Sequence, residues 1–172
     1  VTDTIRELRA PEFPWALAGD QIFLNHASTG PLPQRAVERI QQLTALRAHP
    51  WRYTVEMQFG ELANARVKCA RLIGADPREI ALMVNTSYGL NLAARALPFK
   101  HGDIVITSDR EYPSNVYPWM ELEVARGVKL ERIPCAGVLP DEEAILPALD
   151  RPRVRCVVLS WVSFGSGYRI AT

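Results

Sequence analysis

The sequence lacks most of the features that announce a function outright. It has no GxGxxG and no GxxxxGK[ST], so it offers neither a dinucleotide fingerprint nor a phosphate loop. Cysteine is scarce: Cys69, Cys135 and Cys156 are odd in number, widely spaced and form no CxxC pair. A disulfide framework and a zinc site are therefore disfavoured, and a reducing cytoplasm fits best. His26, His49 and His101 stand apart, without metal-ligand spacing. Charge of one sign is also lacking. The formal net charge is +1, which argues against a dedicated nucleic-acid binder. No apolar run approaches the roughly 20 residues of a bilayer span, and no charged-then-apolar leader opens the chain. Neither a nucleic-acid nor a membrane partner is expected.

What is present is a globular composition. The 172 residues are 48% hydrophobic and 23% charged, enough for an ordinary domain with a core. The chain opens on Val1 rather than Met, which suggests processing or trimming, and closes on "GYRIAT" without a helix stop.

Periodicity divides the chain. Residues 1–20 read as an arm with one short helix. "QRAVERIQQLTALRA" places Val37, Ile40, Leu43 and Leu46 on a helical stripe that Pro50 ends. A second helix follows, with Leu62, Arg66, Cys69 and Ile73 on one face and Gly74 where a helix-ending Gly belongs. The rhythm then changes. "IALMVN", "DIVITS", "VKLERIP" and "VRCVVLS" read as strands, the last as one buried on both faces. Between them lie "GLNLAARAL", "SNVYPWMELEVARG" and "PDEEAILPALD", which read as helices; Pro118 requires a place in a first turn. This alternation predicts parallel βαβ units in an open α/β sheet, where ligands bind beyond the carboxyl ends of the strands. The loops after Asn85, Thr107 and Leu159 carry the interest.

In "NTSYGLN", hydroxyls of Thr86 and Ser87 stand where a helix begins. They suit a phosphate, or one of them is simply an N-cap. In "SDREYPSNVYPW", Glu111, Tyr112, Ser114 and Asn115 follow a strand. Tyr112 suits stacking on a planar ligand, and the alternative is a surface turn capped by Ser114. In "SWVSFGSGYR", Ser160, Trp161 and Ser163 follow a buried strand, and the "GSG" alone is a turn. Cys69 and Cys156 read as core residues. His49 and His101 read as solvated.

These loops, with the opening "FLNHASTGPLP", match a family pattern in order. "FLNHASTGPLP" resembles "YLNHAGTGPLP", "NTSYGLNLAA" is similar to "GTTEGINLVA", "EYPSNVYPW" resembles "EHHANIVPW", and "LSWVSFGSG" resembles "SHVSNVLG". The chain thereby resembles the class V aminotransferases, fold-type-I enzymes dependent on pyridoxal 5'-phosphate (PLP). The family includes cysteine desulfurases and isopenicillin-epimerase-like proteins.

The resemblance implies roles position by position. Thr86 and Ser87 would bind the cofactor phosphate, and Tyr112 would stack on the pyridine ring. Asn115 would support that loop, with Ser163 in the cofactor-binding segment after the last strand. Asn25, His26, Ala27, Ser28 and Thr29 would line the substrate entrance. Two positions depart from the desulfurase pattern: Tyr112 stands for its His, and Phe164 for its ring-contacting Asn. Both point toward the aminotransferase or epimerase branches.

The Schiff-base Lys and the carboxylate for the pyridinium nitrogen are expected beyond Thr172. Lys68, Lys100 and Lys129 do not stand in the family's context. The resemblance thus implies an N-terminal arm and substrate-entrance segment (1–33), a helical segment (34–78), and the first half of the PLP-binding α/β domain (79–172). It implies an amino-acid-like substrate, a homodimer or association with the remaining portion, and no activity from these residues alone. The rival readings are a truncated, non-catalytic binding or oligomerisation module of the same descent, and an unrelated nucleotide-binding domain, which the missing phosphate loop disfavours.

Overall fold

The computed structural model describes residues 3–19 and 21–171, so the reading of Val1 falls outside them. The chain divides into two compact units, Val1–Ala81 and Leu82–Thr172.

The first unit is helical. Its arm holds two short helices rather than one, α1 (Asp3–Glu12) and α2 (Trp15–Ala18), followed by α3 (Gln34–Arg47) and α4 (Val55–Ile73). Each boundary has a local cause. Pro33 precedes α3, and a 3-10 turn at Pro50–Arg52 follows it. The Thr54 side chain accepts the Met57 N–H at the start of α4. At the other end Gly74 takes the left-handed conformation, φ 71°, that closes a helix without a Cβ penalty. Ion pairs join the helices, Arg35 with Glu12 and Arg39 with Glu61. Apolar burial is slight: among the described residues of this unit Ala70 is buried, while Leu62 and Ile73 of the predicted face stay exposed, as does Val67 beside it. Cys69 is half-buried.

The second unit is α/β. It runs α5 (Thr86–Ala96), β1 (Ile104–Ser108), α6 (Tyr117–Arg126), β2 (Lys129–Ile133), α7 (Glu142–Leu149) and β3 (Val154–Val157). Pro118 falls in the first turn of α6, where its missing N–H costs nothing. Asp141 caps α7 through the Ala144 N–H, and Glu142 and Glu143 face the positive end of the helix dipole. The strands are parallel in the order β2-β1-β3. The central strand is buried on both faces. Val105 packs with Ala94, Trp119 and Leu122 of α5 and α6, while Ile106 packs with Ile145 and Ala148 of α7. Alternate residues of a strand point to opposite faces, so helices on both sides require the apolar run Ile104–Ile106, while buried Thr107 and Ser108 satisfy their hydroxyls on Val158 and Cys135.

Two strand expectations fail. Residues 80–85 form no strand; Leu82, Met83 and Val84 are exposed and without regular structure. A strand exists only by pairing, and among the described residues none lies alongside this run. The last strand stops at Val157 and is not buried on both faces: Arg155 and Val157 are exposed. It pairs with β1 alone, so its other edge has no ladder among the described residues. Cys156 is accordingly half-buried. Among the described residues no helix is long and apolar enough to cross a membrane.

Candidate functional site

The strand order creates the site. The chain leaves β1 for one edge of the sheet and returns as β3 on the other, so the loops after β1 and β3 face each other across a crevice. Into it come Arg110, Glu111 and Tyr112 from the first loop and Ser160, Ser163 and Phe164 from the second.

Glu111 joins the two loops. Its Oε1 accepts the Ser160 N–H at 2.7 Å and its Oε2 accepts the Ser160 hydroxyl at 2.7 Å. The same Oε2 accepts the Asn115 amide at 3.0 Å and the Tyr112 N–H at 3.2 Å. Asn115 is buried and also donates to Ser160 Oγ at 3.1 Å. The Ser160 hydroxyl thus receives one bond and gives one. Nearer the sheet, four residues before Glu111, Thr107 Oγ1 donates to the Val158 carbonyl at 2.8 Å, with Thr107 wholly buried.

Tyr112 emerges from this anchorage half-exposed, and its ring meets Phe164 edge-on at 5.1 Å and 84°. Ser163 donates its N–H to the Tyr168 carbonyl and lines a cleft of about 350 Å³ with Arg110, Glu111, Val138, Phe164 and Gly165. Tyr168 in turn donates its hydroxyl to Glu142 at 2.7 Å, and that bond raises the Tyr168 pKa. Burial pushes the Cys135 thiol up, and its sulfur lies 3.1 Å from Ser108 Oγ.

Thr86 and Ser87 open α5, which packs beside the 3-10 turn Pro113–Asn115. Neither is the cap. Asn85 is, its Oδ1 accepting the Tyr88 N–H at 2.8 Å. A helix leaves its first N–H groups without intrahelical partners. Those of Thr86 and Ser87, with two hydroxyls, remain for an anion. Ser114 caps nothing either; it lies within the 3-10 turn, and Val116 precedes α6 without a side-chain bond.

Tyr112, Asn115 and Ser163 therefore share the crevice, with α5 packed against the Asn115 turn. Asn25–Thr29 belong to the other unit. They form a turn in which the Asn25 carbonyl accepts the Ser28 and Thr29 N–H groups, with His26 edge-on to Phe23. Trp161, read as a candidate from sequence, is exposed. The hub that sequence reasoning missed is Glu111, whose role depends on a partner 49 positions away. Among the described residues no group of three or more His, Cys, Asp or Glu is placed to hold a metal.

Comparison with known proteins gives this geometry a lineage. The chain is 34% identical to isopenicillin N epimerase of Streptomyces clavuligerus over 84% of its length, covering 37% of that protein. It is 32% identical to cysteine desulfurase CsdA of Escherichia coli over 91% of its length, covering 41% of that protein. It spans about two fifths of the length of each of these two relatives. The crystal structure of CsdA superposes with a TM-score of 0.79 at 29% identity, over 95% of this chain and 43% of that one. The cystine C-S lyase C-DES shares the fold, with a TM-score of 0.80 at 22% identity over 92% of this chain and 42% of that one. The family described as Aminotransferase class-V matches residues 22–171. The chain belongs to the class V aminotransferase family, and its α/β unit is part of the open parallel sheet of the fold-type-I large domain.

Proposed function

We propose that the protein is a PLP-dependent enzyme acting on an amino-acid-like substrate, with this chain supplying the phosphate cradle and one wall of the cofactor pocket. The observation that carries the reading is the pairing of a helix start rich in free donors with an anchored aromatic beyond β1. The donor set suits the group. Two N–H groups and the hydroxyls of Thr86 and Ser87 fit a phosphate, and the exposed face of Tyr112 fits a planar ring.

Bound PLP would supply an electron sink for bond breaking at the substrate carbon. The residues here bind and orient. Thr86 and Ser87 hold the phosphate, Tyr112 sets the ring plane, Asn115 secures the loop beneath it, and Ser163 stands in the facing loop. Asn25, His26, Ala27, Ser28 and Thr29 are proposed to line the substrate entrance. The aromatic pair Tyr112 and Phe164 supports an aminotransferase, lyase or epimerase chemistry over desulfuration. Exposed Ile22, Leu24 and Val84 support association with the rest of the fold or with a second subunit.

The test is PLP titration of the full-length protein, followed by absorbance. The reading expects saturable binding that Thr86→Ala/Ser87→Ala weakens about 10-fold or more, since each lost hydrogen bond to a charged group is worth about 1.5–3 kcal/mol. Equal affinity in the double variant would remove the phosphate from this helix start.

A further inference from the structure

We propose that Glu111 is a positioning residue for the cofactor ring: its carboxylate clamps the loops after β1 and β3 together and thereby fixes the plane of Tyr112. The proposal rests on the PLP reading above and adds to it a residue that need not touch the cofactor.

The chemistry of the contacts makes the case. An ionised carboxylate only accepts, through about four lone-pair sites on its two oxygens. Four donors converge on Glu111: the N–H and the hydroxyl of Ser160, the Asn115 amide and the Tyr112 N–H. Three of the four donors meet on Oε2 and one on Oε1, so the carboxylate is committed mainly to holding its own loops. Its work is mechanical. The Tyr112 N–H is pinned at the root of the side chain, and Phe164, four residues after Ser160, meets the ring edge-on. The Tyr112 restraint is a direct bond to Glu111, and the Phe164 loop is tied to Glu111 at Ser160 and to Tyr168 at Ser163. A glutamine is not an equivalent. Its amide would turn two N–H donors toward a ring of donors, leaving at least one bond broken and one pair opposed.

The experiment compares Glu111→Gln with Glu131→Gln in the full-length protein. Glu131 pairs β2 with Arg151, contacts none of the crevice residues and serves as the structural control. Three quantities are read: melting temperature without PLP, affinity for PLP, and visible circular dichroism per bound PLP, which reports ring orientation. Both variants should melt lower. Glu111→Gln should in addition bind PLP about tenfold more weakly and lose dichroic intensity, while Glu131→Gln keeps both cofactor readouts at parental values. A Glu111→Gln that melts lower but keeps parental affinity and dichroism overturns the proposal. So does an equal loss in both variants. A parent that takes up no PLP overturns the functional reading and the proposal with it, and is recognised before any variant is made. Should Glu111→Gln fail to fold, Ser160→Ala carries the test. It removes one donor, keeps the backbone bond, and should weaken PLP about threefold with a matching dichroic change; parental values there overturn the proposal.

Discussion

Replacing Asn115 by Asp would set a second carboxylate against Glu111 at a contact that is now 3.0 Å long. Asn115 is buried, so little water intervenes. Two unit charges about 4 Å apart repel by about 4 kcal/mol at an effective dielectric of about 20, and relaxation should leave about half of that. The new carboxyl escapes by keeping its proton, so its pKa in the folded state rises above the ordinary value of about 3.9. The sign follows. The folded state then binds more protons than the unfolded one, and stability falls as pH rises through the raised pKa. At about pH 4.5 the protonated acid still donates one bond to Glu111, and Asn115→Asp should cost only about 1 kcal/mol. At about pH 7.5 it should cost about 3 kcal/mol. Urea unfolding followed by tryptophan fluorescence at both pH values measures this, with the parent's own pH dependence subtracted. Asn115→Leu removes the same donors without the charge and should show a deficit that is flat with pH. An Asn115→Asp deficit that changes by less than about 0.5 kcal/mol between the two pH values would mean that no carboxylate faces Asn115.

Two other substitutions probe the frame around the site. Gly127 ends α6 at φ 65°, and a Cβ there would run into the His101 ring. Gly127→Ala should cost about 1–2 kcal/mol and lower the melting temperature by several degrees, with Gly127→Val costing more because a β-branched side chain is bulkier against His101 and less tolerant of positive φ. Calorimetry of both variants checks the order. Arg151 binds Glu131 through two 2.7 Å bonds and holds its carboxyl below the ordinary value, so this contribution is present above the unfolded pKa and is lost as pH falls through the folded one. Both side chains are about two-fifths exposed, so Glu131→Gln should cost at most about 1 kcal/mol at neutral pH and nothing in acid; a larger loss in acid would contradict the pairing.

What could be read from sequence was what neighbouring residues decide. The β-branched run 104–108, the acids opening α7, Gly74 and the first-turn Pro118 are each settled within a few positions, and each stands as read. The run 80–84 has the composition of a strand, but pairing is a property of another segment, and composition does not carry it. Asn85, Thr86 and Ser87 are all capable caps in adjacent positions; backbone geometry chose Asn85, and no spacing rule separates them. Loop position and residue type single out Thr86, Ser87, Tyr112, Asn115 and Ser163, and family resemblance gives them their expected cofactor roles. Glu111 passes as one more loop acid because its partner, Ser160, lies in the loop after a different strand, 49 positions away.

Backbone pairing between β1 and β3 ends with the Val158 N–H on the Ile106 carbonyl. Past that bond the two chains diverge, and the gap is spanned by side chains alone, Thr107 to the Val158 carbonyl and Glu111 to Ser160. The gape of the crevice is therefore set by interchangeable rungs rather than by the ladder. Changing the length of one rung would widen or narrow the mouth while leaving every strand bond in place, so the width of the crevice and the stability of the sheet can vary separately.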